Sequence, residues 1–229
     1  EKSIVLLKND GVLPLDASRL KKLALIGPHA DEALLGGYSS IPRKTVNLVD
    51  ALQQQLQGKV AVTFARGSRI TDNNFLTPKV QATAESTDTS STNALAEQAA
   101  AAMVARSEKA GTYSMLRWNH DDTVLASATD NARLRAEAVA LAKNSDAIVL
   151  VLGENEGLAR EAWADKHLGD RTTLELSADQ QLLAKEVLAV AGNKPLVLVL
   201  QNGRPLALGG LAEQMPAIVE AWYLGQEGG

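Results

Sequence analysis

The side chains best suited to chemistry are concentrated in residues 153–171, GENEGLAREAWADKHLGDR, directly after the aliphatic run AIVLVLG. This stretch contains five carboxylates: Glu154, Glu156, Glu161, Asp165 and Asp170. A pair of carboxylates can hydrolyse a glycosidic bond, because one protonates the departing oxygen while the other attacks the sugar or activates water. An acidic loop can also be a plain solvated surface, so both interpretations stand at this point.

Other side chains of the same stretch fit a sugar site. Arg160 and Arg171 can each orient a carboxylate through two parallel hydrogen bonds. Trp163 offers a flat apolar face that suits a sugar ring. His167 here, and His29 elsewhere in the chain, are candidate proton-transfer groups, although a surface or supporting role fits each of them better.

The composition excludes several other kinds of site. The chain of 229 residues has no cysteine and three histidines, without the paired-histidine spacing of a zinc site, so no metal is expected. A net charge of -4 and an aromatic content of 3% argue against nucleic-acid binding. No apolar run approaches the roughly 18 residues that read as a membrane span.

Motifs of other enzyme classes are also missing. The glycine-rich piece LLGGYSS, residues 34–40, has neither GxxxxGK[ST] nor GxGxxG, so it predicts a tight turn rather than a phosphate loop. The chain has no GxSxG nucleophile elbow either.

The elements that must position the acidic stretch are alternating strands and helices. Five nearly continuous aliphatic runs predict strands at residues 22–27, 60–67, 147–153, 195–203 and 217–223. Helical patterns lie at residues 45–57, 131–144 and 177–191, the last beginning with the capping-box spacing of Ser177 and Gln180. This order predicts an α/β fold, a doubly wound and mostly parallel sheet sandwiched by helices.

One segment interrupts this alternation. Residues 71–93 are rich in Thr, Ser, Asn and Asp, and an Ala-rich helix at 95–109 and a hairpin within 111–127 are predicted to follow. We interpret residues 71–130 as an insertion into a single α/β domain that covers the chain, residues 1–229. That domain is expected to be incomplete at its C-terminal end.

Ligands of open α/β sheets bind at the carboxyl ends of the strands. Three segments of this sequence occupy such ends: GPHADEALLGGYSSIP, GENEGLAREAWADKHLGDR and QNGRPLAL. We expect the three segments to meet in one crevice.

Several of these stretches together resemble a known family. They are SIVLLKNDGVLPL (3–15), LALIGPHAD (23–31), LGGYSS (35–40), the run from SDAIVLVLGENEG to RTTLEL (145–176), KPLVLVLQNGRPLAL (194–208) and AIVEAWYLGQEGG (217–229). In order and spacing the chain resembles the C-terminal α/β sandwich domain of glycoside hydrolase family 3, typified by bacterial β-glucosidases. The resemblance covers nearly everything outside residues 71–130.

The resemblance implies a site shared between two domains. A preceding (β/α)8-type barrel, absent from this chain, would supply an aspartate nucleophile. The sandwich would supply the acid/base glutamate, best matched by Glu161 with Glu154 as the runner-up. Trp163 is the candidate substrate contact, and Asp170 and Arg171 are expected to form a local ion pair that shapes the loop.

The implied activity is that of a retaining, exo-acting β-glycosidase that needs no cofactor. The first choice is a β-glucosidase acting on a β-glucoside or oligosaccharide, in the periplasm or outside the cell. The alternatives are a β-xylosidase or exo-β-glucanase of the same family, or a non-catalytic carbohydrate-binding or structural module. Because the nucleophile lies elsewhere, the chain alone is expected to be inactive.

Overall fold

A computed structural model describes residues 3–35, 44–71, 125–162 and 169–229. Its strands are β1 (Val5–Asn9), β2 (Lys22–Ile26), β3 (Ala61–Ala65), β4 (Ala147–Gly153), β5 (Leu196–Gln201) and β6 (Ala217–Glu220). Within these ranges they form one sheet in the order β1-β6-β5-β4-β2-β3. All neighbouring strands are parallel except β1, which is antiparallel to β6. The prediction of a mostly parallel α/β sheet is confirmed.

The helices of the described part are α1 (Leu48–Gln55), α2 (Ala128–Lys143), α3 (Glu156–Ala159), α4 (Ala178–Ala191) and α5 (Gly210–Gln214). Side-chain caps begin the first two, because Asn47 accepts a hydrogen bond from the Asp50 amide and Ser127 accepts one from the Asp130 amide. A short 3-10 turn, Ala17–Arg19, precedes β2.

The sheet separates two apolar layers, and β4 contributes to both because its side chains alternate between the faces. Ile148, Leu150 and Leu152 pack in the layer that contains Leu183 of α4. Val149 and Val151 pack in the opposite layer, which contains Val49 of α1. Burial on both faces explains why β4 has an uninterrupted aliphatic sequence.

β4 and β5 are adjacent and parallel, as their sequences predict, with register from Ile148 opposite Leu196 to Gly153 opposite Gln201. Helix α4 connects them and ends at Gly192. This pairing brings the carboxyl ends of β4 and β5 side by side, where two of the polar segments begin.

The first strand, β1, differs from the sequence-based expectations, and most of the predicted insertion at residues 71–130 cannot be compared with them. The strand β1 was not predicted. It is an edge strand whose residues Val5, Leu6 and Leu7 stay exposed, so its apolar character does not mark a buried core strand. Most of the predicted insertion, including the helix at 95–109, lies outside the described residues. At its borders Thr71 pairs antiparallel with Leu125, and α2 already begins at Ala128.

Candidate active site

The candidate site begins where β4 ends at Gly153. A Cβ atom on Gly153 would overlap the carbonyl oxygen of Gln201 on β5, so only glycine permits this close approach. The buried amide of Gln180 binds both backbone groups of Gly153, accepting from its N–H at 2.9 Å and donating to its carbonyl at 2.8 Å. The next amide, of Glu154, donates to the Gln201 carbonyl at 3.0 Å. These bonds fix the direction in which the acidic stretch leaves the sheet.

Glu154, the first carboxylate of the stretch, is buried. Its residue is 1% exposed, and its Oε1 accepts a hydrogen bond of 2.5 Å from Nη2 of Arg204. The Nε atom of Arg171 lies 3.8 Å from the same oxygen. A buried carboxylate is tolerated when cations and hydrogen bonds compensate its charge, and here two guanidinium groups from different loops do so.

Glu161 lies in a different environment, in an exposed segment where residues 160–162 are hydrogen-bonded to Asp170. We call residues 160–162 and 169–170 the neck. The amide of Asp170 donates to the Arg160 carbonyl at 3.0 Å, and the Asp170 carboxylate accepts from the Ala162 amide at 3.2 Å. Gly169 makes this approach possible, since a Cβ there would overlap the Arg160 carbonyl. Both residues that flank Glu161 in sequence are therefore tied to Asp170, while Glu161 itself is exposed.

Glu161 lines a cavity of about 390 Å³ at this edge of the sheet. The other lining residues are Leu158, Ala159, Arg160, Asp170, Arg171 and Arg204. Arg171 and Arg204 thus touch the cavity on one side and Glu154 on the other. The arrangement places one accessible glutamate among several guanidinium groups, with the second glutamate behind them.

Two of the three strand-end segments meet at this cavity, whereas the described part of the first segment, residues 27–35, contains a separate cluster of charged side chains. His29 is 1% exposed, with Nδ1 at 3.6 Å from the Glu32 carboxylate. Arg66 binds the carboxylates of Asp31 and Glu32. Burial raises the pKa of Asp31 against the opposing effect of Arg66. His29 is buried within the loop after β2, so of the two roles expected for it, at the surface or in support of other residues, only the supporting one fits its position.

Arg171 and Asp170, which are adjacent in sequence, bind different partners in the structure. Arg171 pairs with Glu154 and donates to the Glu175 carbonyl at 3.0 Å, so the expected ion pair between Asp170 and Arg171 is wrong. Asp170 instead binds the Arg160 carbonyl and the Ala162 amide. Trp163, Asp165 and His167 lie outside the described residues, and so does the side chain of Glu156.

Sequence reasoning missed two residues that build the site. Arg204 stands in QNGRPLAL, two positions after Asn202 and so just beyond the carboxyl end of β5, where a charged side chain indicates a possible ligand site. The sequence predicts that Gln180 belongs to a capping box with Ser177. In the structure its amide nitrogen donates mainly to the Gly153 carbonyl, and its hydrogen bond to the Ser177 hydroxyl is longer, at 3.3 Å. A fully buried glutamine on an apolar helix face is the feature that identifies this role.

A larger cavity, of about 630 Å³, lies at the other end of the sheet, next to the amino ends of β4, β5 and β6. Its charged groups serve the fold, since Asp146 accepts from the amides of Lys21 and Lys22, and Lys194 donates to carbonyls at the end of α2. Within the described ranges, no three His, Asp or Glu side chains are grouped to hold a metal ion. None of the helices described is long and apolar enough to cross a membrane.

The fold and the site define a mostly parallel α/β sandwich domain with a carboxylate-bearing loop at the carboxyl ends of its strands. The model of the glycosyl hydrolase family 3 C-terminal domain matches residues 4–229. The chain belongs to this family.

Its relatives are glycoside hydrolases. A β-xylosidase of Formosa agariphila is 32% identical over 238 residues, an alignment that covers 100% of this chain and 24% of that protein. A periplasmic β-glucosidase of Salmonella typhimurium is 29% identical, with 99% and 24% covered. A solved β-glucosidase structure from Erythrobacter marinus is 36% identical with a TM-score of 0.74, covering 99% of this chain and 26% of that one. The chain therefore spans about a quarter of the length of these longer enzymes.

Proposed function

We propose that this chain supplies the acid/base residue, Glu161, of a retaining, exo-acting β-glycosidase. The observation that supports the proposal most is the contrast between the two glutamates. Glu161 is exposed on a clamped neck at the wall of a cavity, whereas Glu154 is buried against Arg204. An acid/base group must reach the glycosidic oxygen, so the exposure of Glu161 supports this role for it and the burial of Glu154 argues against the same role for Glu154.

The proposed mechanism is double displacement. An aspartate on another domain, of the (β/α)8-barrel type, attacks the anomeric carbon and forms a covalent glycosyl-enzyme. Glu161 protonates the departing oxygen in the first step and takes a proton from water in the second step. Retaining enzymes hold their two carboxyl groups about 5 Å apart, so the barrel domain must close over the Glu161 cavity. Trp163, on the same loop, is proposed to contact the sugar.

The proposed substrate is a terminal β-D-glucosyl residue, in agreement with the names of the Salmonella and Erythrobacter relatives. The 32% identity to a β-xylosidase supports β-xyloside hydrolysis as the second candidate. Comparing kcat/KM on matched aryl β-glucosides and β-xylosides decides between the two sugars. The periplasmic relative also supports a location outside the cytoplasm, which cell fractionation tests.

The role of Glu161 is tested in the complete enzyme by the variant Glu161→Ala. Aryl glucosides with poor leaving groups should lose about 100- to 10,000-fold in kcat/KM, because their departure needs a proton. A dinitrophenyl glucoside should retain its first step, since its leaving group departs unprotonated. The matched control Glu213→Ala removes an exposed glutamate on α5 and should behave like the wild type. Equal losses for both classes of substrate would contradict the assignment.

The two-domain character of the site gives a simpler test. The purified chain of 229 residues should not hydrolyse an aryl β-glucoside, because a retaining mechanism requires a second carboxylate that we assign to another domain. Clear turnover by this chain alone would overturn the division of the site between domains.

A further inference from the structure

Exposed apolar side chains lie together where β6 ends and β1 begins. Because β1 is antiparallel to β6, with Val5 opposite Glu220, the residues before β1 lie beside those that follow β6. Here Ile4 is 45% exposed and Trp222 is 41% exposed. The indole Nε1 of Trp222 donates to the Ser3 carbonyl at 2.9 Å, which ties the two chain segments together. We call Ile4 and Trp222 the apolar patch.

Trp222 is held in a backbone conformation that bulky residues rarely adopt, with a φ of 61°. Its amide donates to the carboxylate of the buried Glu220 at 3.0 Å, and its indole N–H is bonded to Ser3. Both polar groups of the residue are thus satisfied within this domain, while part of the apolar ring remains in water. Backbone strain of this kind is retained mainly at functional sites, where the surrounding structure holds it in place.

The apolar patch lies at the carboxyl ends of the parallel strands, as the Glu161 cavity does. Three steps in the strand order separate β4 from β1, or about 14 Å at a strand spacing of about 4.8 Å. A specific protein interface buries about 800 Å² on each partner, which corresponds to a disc of about 16 Å in radius. A domain that covers the Glu161 cavity with an interface of that size would also reach the apolar patch.

We propose that the apolar patch is a docking surface for the domain of the complete enzyme that carries the nucleophile. This inference rests on the proposed function, because the retaining mechanism brings that domain to the Glu161 cavity. The chain spans 24% of its β-xylosidase and β-glucosidase relatives, so most of each enzyme remains for such a domain. The surface that meets the patch is expected to be apolar, since the ring of Trp222 offers it no free N–H group.

Cysteine labelling in the complete enzyme tests this docking. The 229 residues contain no cysteine, so Ile4→Cys and Trp222→Cys each place a single thiol in this domain. Mass spectrometry of the modified peptide gives the rate of reaction with N-ethylmaleimide, which is divided by the rate in the urea-unfolded enzyme. The control Ala140→Cys carries its thiol at an exposed position near the end of α2, beside the amino ends of the strands. Both patch thiols should react at least about 10-fold more slowly than the control, because a docked surface reacts only when it opens.

Each outcome decides the proposal. Labelling of both patch thiols at the rate of the control would overturn it. Protection that disappears when the enzyme is diluted would indicate a second copy of the chain, and protection that appears only with added glucose would indicate a sugar stacked on the ring; either result contradicts the proposed occupant. If Trp222→Cys does not fold, Ile4→Cys decides alone. Failure of the proposed function is seen separately, as a lack of leaving-group dependence in Glu161→Ala while the patch thiols remain protected.

Discussion

The substitution Gln180→Met tests how the sheet holds the start of the acidic stretch. Methionine has nearly the shape of glutamine but can neither donate to the Gly153 carbonyl nor accept from its N–H. Both bonds, of 2.8 and 2.9 Å, are buried. A buried backbone group left without a partner costs about 1–3 kcal/mol, so the loss of both bonds should lower the free energy of unfolding by about 3 kcal/mol.

Urea unfolding followed by circular dichroism measures this effect. With an m-value of about 2 kcal/mol/M, the midpoint should fall by about 1.5 M while the m-value stays constant. The control Gln54→Met changes an exposed side chain on α1 and should shift the unfolding free energy by less than about 0.5 kcal/mol. A loss below about 1 kcal/mol in Gln180→Met would refute the view that this amide anchors the end of β4.

Two further predictions concern the neck and the amino edge of the sheet. Gly169→Ala places a Cβ against the Arg160 carbonyl and should break the hydrogen bonds of the neck. We expect kcat/KM of the complete enzyme to fall by about 100-fold while the circular dichroism spectrum stays unchanged. Wild-type kinetics in this variant would show that these hydrogen bonds do not position Glu161. Hydrogen bonds from the amides of Lys21 and Lys22 lower the pKa of Asp146 below 3.8, so its contribution to stability is present above that pH and is lost as the pH falls further. Asp146→Asn should therefore be destabilised relative to the wild type at pH 7 and less so at pH 2.5, in thermal unfolding; a difference independent of pH would contradict this account.

The sheet was predictable because its central strands are buried on both faces. The aliphatic run of β4 has the same limits in the sequence and in the structure, and the crossover helix α4 follows from its apolar periodicity and the glycine at its end. The strand β1 was not predictable in this way. Its apolar side chains remain exposed at the sheet edge, and its pairing depends on residues of β6 more than 200 positions away.

The sequence predicted which loop carries the site, but not the contacts that this loop makes with other segments. The accumulation of carboxylates after β4 located the loop, and the family resemblance distinguished Glu161 from Glu154. The sequence could not reveal that Glu154 faces Arg204 and Arg171, because these three residues come from three separate segments that the sheet brings together. The same reason explains the mistaken ion pair: Asp170 and Arg171 are neighbours in sequence, but their side chains serve different partners.

The most direct test of the central claim is chemical rescue of Glu161→Ala in the complete enzyme. Without the acid/base group, a dinitrophenyl β-glucoside should still form the glycosyl-enzyme, which then accumulates because water is not deprotonated. Azide attacks without losing a proton, so it should restore turnover and yield the β-glycosyl azide with retained configuration. The absence of that product from Glu161→Ala, or its formation by Glu154→Ala instead, would contradict the assignment of Glu161 as the acid/base residue.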